Sequence, residues 1–190
     1  MRTLFCNATL YDNLEADEIL VSAEGRIESV GRHLLDKNLK DEVKIIDLQK
    51  ALVLPGFVEC HTHLVFTGSR GFEMEMKFQG RSYQDIALAG GGILASMNAT
   101  REASLESLGK LNRTRIENFI QQGVTTLEIK SGYGLNLETE IKMLKSIPTD
   151  SRIDIVKTFL GAHAKPPEFS PSGDYLRSLS KKYLPEIKKT

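Results

Sequence analysis

The sequence predicts an α/β fold in two parts. Three observations carry that expectation. Residues 3–55 are short β-rich segments with no helical period, Pro55-Gly56 breaks the texture, and the remainder alternates strand-like runs with amphipathic helical segments. A β-α-β-α-β order of this kind implies a parallel sheet, open or closed into a barrel.

In the first part, residues 3–11 are β-rich. Glu18-Ile19-Leu20-Val21 and Arg26-Ile27-Glu28-Ser29-Val30 flank Ser22-Ala23-Glu24-Gly25, a hairpin signal in which Gly25 supplies a positive φ. Residues 43–48 form a further strand, and 14–17 and 33–42 are connections. In the second part, 57–64, 124–130 and 153–160 read as strands. Leu105, Leu108, Leu111 (or Asn112), Ile116, Phe119 and Ile120 recur at helical spacing, and Gly123 stands where a C′ glycine belongs. Leu137, Ile141 and Leu144 mark a second helix with Asn136 as its N-cap. The lysine-rich stretch 181–190 reads as a solvated helix end or a frayed terminus.

The chain has 190 residues, with Lys+Arg and Asp+Glu both at 25, so its formal charge is zero. That excludes a basic body built for phosphate backbones. Hydrophobic residues make up 41 % and charged residues 26 %, the balance of a globular chain rather than a disordered one. No apolar run is long enough to cross a bilayer, and no secretory signal is readable, so neither a membrane nor a nucleic-acid partner is expected. Cys6 and Cys60 make no disulfide framework, which together with the missing signal points to the cytoplasm.

The strongest chemical signal is His61-Thr62-His63. On a strand, residues i and i+2 share a face, so both imidazoles project together. That is half of a mononuclear metal site with nitrogen ligands suited to zinc or iron. The preceding run is apolar, so this strand is expected to be central and buried on both faces, where two unpartnered imidazoles would be costly. Arg70 follows in a loop and could grip a carboxylate with two parallel hydrogen bonds, although spacing alone reads as a surface arginine. Tyr133, in Ser131-Gly132-Tyr133-Gly134, and His163, in Gly161-Ala162-His163, stand at the C-terminal ends of the next two strands, where α/β sites are built. His163 could be a metal ligand, an acid/base or a substrate donor. His33 and Cys60 read as structural. Ala89-Gly90-Gly91-Gly92-Ile93-Leu94-Ala95 contains a formal G-x-G-x-x-A, but it follows a helix-like stretch, so it reads as a loop approaching the mouth of the site rather than a nucleotide cradle.

Leu54-Pro55-Gly56-Phe57-Val58-Glu59-Cys60-His61-Thr62-His63 resembles the first-strand signature of the amidohydrolase superfamily. The run to Arg70, the Gly90-Gly91-Gly92 segment, Glu128-Ile129-Lys130-Ser131-Gly132-Tyr133-Gly134-Leu135 and Thr158-Phe159-Leu160-Gly161-Ala162-His163 narrow the resemblance to the imidazolonepropionase family. The resemblance implies a β module over 1–55, part of a composite β-sandwich, and over 56–190 a partial (β/α)8 TIM-type barrel. It implies one zinc or iron ion, a homodimer, and hydrolysis of 4-imidazolone-5-propanoate at its cyclic amide C–N bond to N-formimidoyl-L-glutamate. Carried over residue by residue, His61 and His63 match metal ligands, Arg70, Tyr83, Tyr133 and His163 match substrate-contacting positions, and His163 is the catalytic candidate at the ring carbonyl.

Lys157 stands where proline is commoner in the family, and Glu59 where aspartate is commoner in the superfamily. A barrel of this class takes about 250 residues. The 135 residues after Pro55 hold three barrel-type strands, so an N-terminal portion is expected, lacking the family's later metal ligands. Two other readings follow from that shortfall: a non-catalytic truncated or split half that needs a C-terminal partner chain, and another cyclic amidohydrolase or deaminase of the superfamily.

Overall fold

A computed structural model describes residues 1–35 and 43–189 of the chain. The chain divides into two compact units, Met1–Pro55 and Gly56–Thr190.

The first unit is all strand among its described residues. β1 (Arg2–Cys6), β3 (Glu18–Val21), β4 (Ile27–Gly31) and β5 (Val43–Asp47) form a four-stranded sheet in the order β4-β3-β1-β5. The pairs β1–β3 and β3–β4 are antiparallel, whereas β1–β5 is parallel. The short strands β2 (Thr9–Leu10) and β6 (Leu52–Val53) pair in parallel. The expected hairpin is present: Gly25 has φ +81° and donates to Ser22 O. Leu4, Leu20 and Val43 form one small core, and Ala8, Leu10 and Ala16 a second. The connection expected over 33–42 lies mostly outside the described residues.

In the second unit, β7 (Phe57–Thr62), β8 (Val124–Lys130) and β9 (Asp154–Thr158) form a parallel sheet in the order β7-β8-β9. Between β7 and β8 run helices α1 (Gly71–Phe78), α2 (Tyr83–Leu88), α3 (Gly92–Glu102) and α4 (Leu105–Gln121). α5 (Leu137–Lys145) joins β8 to β9. After β9 come α6 (Ser172–Ser178), a π-helical turn (Leu179–Tyr183) and α7 (Leu184–Ile187). The expected solvated tail is thus partly packed, with Tyr183 buried and Ile187 against the core.

Local chemistry explains the helix ends. Ser104 and Asn136 accept from the N–H groups of Ser107 and Thr139. Gly123, at φ +83°, closes α4 by donating to Ile120 O. The core of this unit gathers Leu108 and Ile116 of α4, Leu127 and Ile129 of β8, and Met143 and Leu144 of α5. Asn112, not Leu111, takes the inward position on α4, donating to the carbonyl and hydroxyl of Ser146 at 3.2 and 2.8 Å.

The expectation of a central, doubly buried first strand is not met. β7 lies at the edge of the sheet, and its Phe57 and Val58 are 52 % and 66 % exposed. The central place belongs to β8, whose Leu127 and Ile129 are fully buried. An apolar run looks the same at a sheet's edge and at its centre; what separates them is the number of neighbouring strands.

Candidate active site

β7 stops at Thr62, one residue short of His63. Its register against β8 shifts between Glu59, opposite Leu127, and Thr62, opposite Ile129. Three steps on β7 therefore face two on β8, which is a bulge, and it re-aims the strand end. Two local bonds hold it there: His61 N–H donates to Glu59 Oε1 at 3.1 Å, and the Thr62 hydroxyl to Glu128 O at 2.7 Å. Burial pushes the Glu128 carboxyl up. Hydrogen bonds from Lys130, Thr158 and Thr62 outweigh that and leave it below the usual range.

Four of the six site residues expected from sequence come together at the C-terminal end of the sheet. The rings of His61 and His63 have centroids 5.3 Å apart. The His163 ring lies 4.5 Å from that of His63, and the Tyr133 ring lies 5.8 Å from His63 and 5.2 Å from His163. Nδ1 of His63 and Nδ1 of His163 are both buried and have no hydrogen-bond partner among the described residues. Burial lowers the pKa of both imidazoles, and for His63 the neighbouring His163, His61 and Lys130 lower it further.

Two imidazoles bound at about 2.1 Å to a tetrahedral ion have ring centroids roughly 5 Å apart, and the His61–His63 separation matches that spacing. Among the described residues, no group of three or more His, Cys, Asp or Glu side chains is gathered closely enough to hold a metal. Two imidazoles would make up two of the three protein ligands that a catalytic zinc usually takes. His163, weighed from sequence as a third ligand, packs against His63 without completing such a group.

Arg70 and Tyr133 line one cavity of about 490 Å³, together with Phe66, Glu73, Lys77 and Arg115. Glu73, which the sequence did not single out, grips Arg70 with two bonds, Nε to Oε1 at 2.6 Å and one terminal nitrogen to Oε2 at 2.7 Å. Glu73 is buried and also accepts the Gly92 N–H at 2.7 Å. The arginine holds its carboxyl down at about 2. Gly91 and Gly92 thus open α3 and tie its first turn to Arg70, where sequence reading expected a loop over the site. Tyr83, 65 % exposed at the start of α2, has its hydroxyl 3.5 Å from where a Cβ on Gly92 would stand.

Two other groups escaped sequence reading. Arg115, from α4, donates to the carbonyls of Leu64 and Phe66 at 2.5 and 2.8 Å and lies 4.1 Å over the Phe66 ring. It braces the segment that follows His63. Glu140, from α5, is fully buried and accepts N–H groups of the turn carrying Tyr133. Its sequence signal was an acid at i−3 and i−4 from Met143 and Leu144, inside the buried stripe of its helix. Arg115 gave no such signal, because its partners are carbonyls 49 and 51 residues away.

No family model matches the chain. Its curated relatives include the imidazolonepropionase of Bdellovibrio bacteriovorus, 53 % identical over 150 residues, which are 79 % of this chain and 36 % of that protein. The imidazolonepropionase of Vibrio cholerae is 43 % identical over 174 residues, 90 % of this chain and 42 % of the relative. That of Idiomarina loihiensis is 42 % identical over 188 residues, 95 % and 46 % respectively. The chain therefore spans rather less than half the length of the curated relatives it matches. Kinship this extensive along its own length makes the chain a homologue of the imidazolonepropionases, across a part of them.

Proposed function

We propose that this chain forms the N-terminal part of a metal-dependent hydrolase that opens 4-imidazolone-5-propanoate at its cyclic amide C–N bond to give N-formimidoyl-L-glutamate. One observation carries the reading most. The two orphaned, buried Nδ1 atoms of His63 and His163 belong to rings 4.5 Å apart, in a cluster that also holds His61 and Tyr133. Buried imidazole nitrogens without partners are expensive unless a ligand completes them.

In this reading His61 and His63 hold a zinc or iron ion. When bound, that ion supplies Lewis acidity toward a carbonyl and an activated water at neutral pH. The protein's own groups do the rest. Arg70 spends two donors on Glu73 and keeps others, fixed in direction, for the propanoate carboxylate. Tyr133 lines the cavity beside Arg70 and packs its ring against His163, so it bridges the carboxylate end and the ring end of the substrate. His163 is the group that meets the ring carbonyl oxygen in this reading. Water adds to that carbonyl carbon, the C–N bond breaks, and the departing nitrogen takes a proton. Tyr83 contributes from the rim. The partial (β/α)8 barrel, the composite β-sandwich and the homodimer belong to the same reading, supported by the kinship above.

A second reading has an observation of its own. Phe57 and Val58 on β7 and Val156 on β9 are apolar and more than half exposed on the two outer strands. Such edges favour a chain that works only against a complementary polypeptide.

The test joins residues 1–190 to the complementary part of the Bdellovibrio relative and follows substrate loss and N-formimidoyl-L-glutamate formation. Ring opening is expected, and His61→Ala should lower both metal content and rate by at least about 100-fold. A chimera that stays inert while the relative turns over beside it would overturn the assignment. Activity of the 190-residue chain alone would remove the second reading.

A further inference from the structure

Beneath Tyr133 lies a carboxylate that no step above uses. Glu140 is fully buried on α5, on a stripe otherwise occupied by Thr139, Met143 and Leu144. Its Oε1 accepts the N–H groups of Gly134 and Leu135 at 2.9 and 2.8 Å, and its Oε2 accepts that of Gly132 at 3.0 Å. The Ser131 hydroxyl donates to it as well. Residues on both sides of Tyr133 are therefore anchored to one anion.

That anchoring answers a backbone need. Gly132 has φ +115° and Leu135 has φ +56°, so the turn is wound through conformations that an L-residue such as leucine seldom adopts. Such a turn presents its N–H groups inward as a nest, and a nest holds its shape around an anion. Burial pushes the carboxyl of Glu140 up, and every group facing it among those named is a donor. An apolar side chain would suit the stripe better for packing alone. The turn in turn presses on the site: a Cβ on Gly132 would lie 3.1 Å from Cβ and Nδ1 of His163. The Ser131 hydroxyl also accepts the Leu160 N–H at 3.3 Å, which ties the turn to the strand end that leads to His163.

We propose that Glu140 is a positioning residue whose carboxylate fixes the 131–135 turn so that Tyr133 stands against His63 and His163. In treating that ring cluster as a substrate site, the inference rests on the function proposed above.

Ring-to-ring cross-relaxation between Tyr133 and His163, in the 190-residue chain with labelled tyrosine and histidine, reads the placement directly. The wild-type chain should show the contact. In Glu140→Gln an amide NH2 faces a backbone N–H, and the contact should be lost while the chain still unfolds cooperatively. Binding of imidazolepropanoate, a ring-and-carboxylate mimic, should weaken about 10-fold, the loss expected for a hydrogen bond to a charged group. Tyr133→Ala added to Glu140→Gln should cost less than about twofold more, because both act through one ring. Ser131→Ala removes a single donor, leaves the backbone nest, and should shift the same signals less. It carries the test if Glu140→Gln does not fold. Unchanged ring contact in the folded variant, or losses that multiply in the double variant, would overturn the proposal. A contact that depends on Glu140, in a chain whose chimera with the relative neither binds imidazolepropanoate nor opens the ring, would instead sink the functional reading and leave the positioning role standing.

Discussion

β7 and β8 are neighbours in one parallel sheet, and each ends in residues of the candidate site, yet they hold those residues in opposite ways. β8 is central, its Leu127 and Ile129 are fully buried, and the turn beyond it is secured from below by Glu140. β7 is an outer strand, exposed at Phe57 and Val58 and bulged before Thr62. Its histidines are placed by polar ties instead: Thr62 to Glu128, and Arg115 to the carbonyls of Leu64 and Phe66. The same geometric result, rings gathered within 4.5–5.8 Å, is reached from a buried strand whose turn closes on one internal carboxylate and from an exposed strand tied by hydrogen bonds along its edge.

The sharpest way to break that contrast is truncation on each strand. Leu127→Ala should destabilise the second unit by about 2–5 kcal/mol, since the cavity cannot close around a fully buried site. Val58→Ala, at a side chain 66 % exposed, should stay within about 0.5 kcal/mol. Urea midpoints of the two variants measure both, and equal losses would mean that β7 is as deeply supported as β8.

Next in size is the polar brace. Arg115→Met keeps much of the side-chain length over Phe66 but leaves the carbonyls of Leu64 and Phe66 without their cation. A loss of about 1.5–3 kcal/mol is expected, the range for hydrogen bonds to charged groups. Amide exchange should quicken around residues 62–67 more than in β8, and uniform acceleration would argue against a local brace.

The effect confined to the narrowest conditions is a pH dependence at the Arg70–Glu73 pair. The Glu73 carboxyl sits at about 2 in the folded chain, against 4.5 for the unperturbed group. A depressed carboxyl contributes stability that is present in full above 4.5 and drains away as pH falls toward 2. Glu73→Gln should flatten the stability profile in that window and leave it unchanged in shape above it. A variant that loses stability equally at pH 3 and pH 7 would show that the charge is not what matters.

What could be read from the sequence was whatever local chemistry decides. Gly25 marked the hairpin, Asn136 the start of α5 and Gly123 the end of α4, because a cap or a positive φ is settled within a few residues. The His61/His63 spacing pointed to rings on one side, and their centroids are 5.3 Å apart. The exposure of β7 was not legible, because an apolar run does not record how many strands flank it. Glu73 stands three residues from Arg70, a spacing open to sequence reading, but its tie to Gly92 across 19 residues is not. Arg115 was missed because it meets carbonyls 49 and 51 residues away, and no periodic pattern encodes such pairings. Glu140 was legible in principle, as a charge in the middle of a buried stripe, but α5 is rotated from the Leu137–Ile141–Leu144 face that its apolar spacing suggests.

The placement of β1 has a consequence for how the first unit is made. The opening strand lies between β3 and β5, and its Cys6 is registered against Asp47. A nascent chain emerging from the ribosome can zip β1 to the β3–β4 ribbon early. It must then keep the other side of β1 bare until position 47 has cleared the exit tunnel.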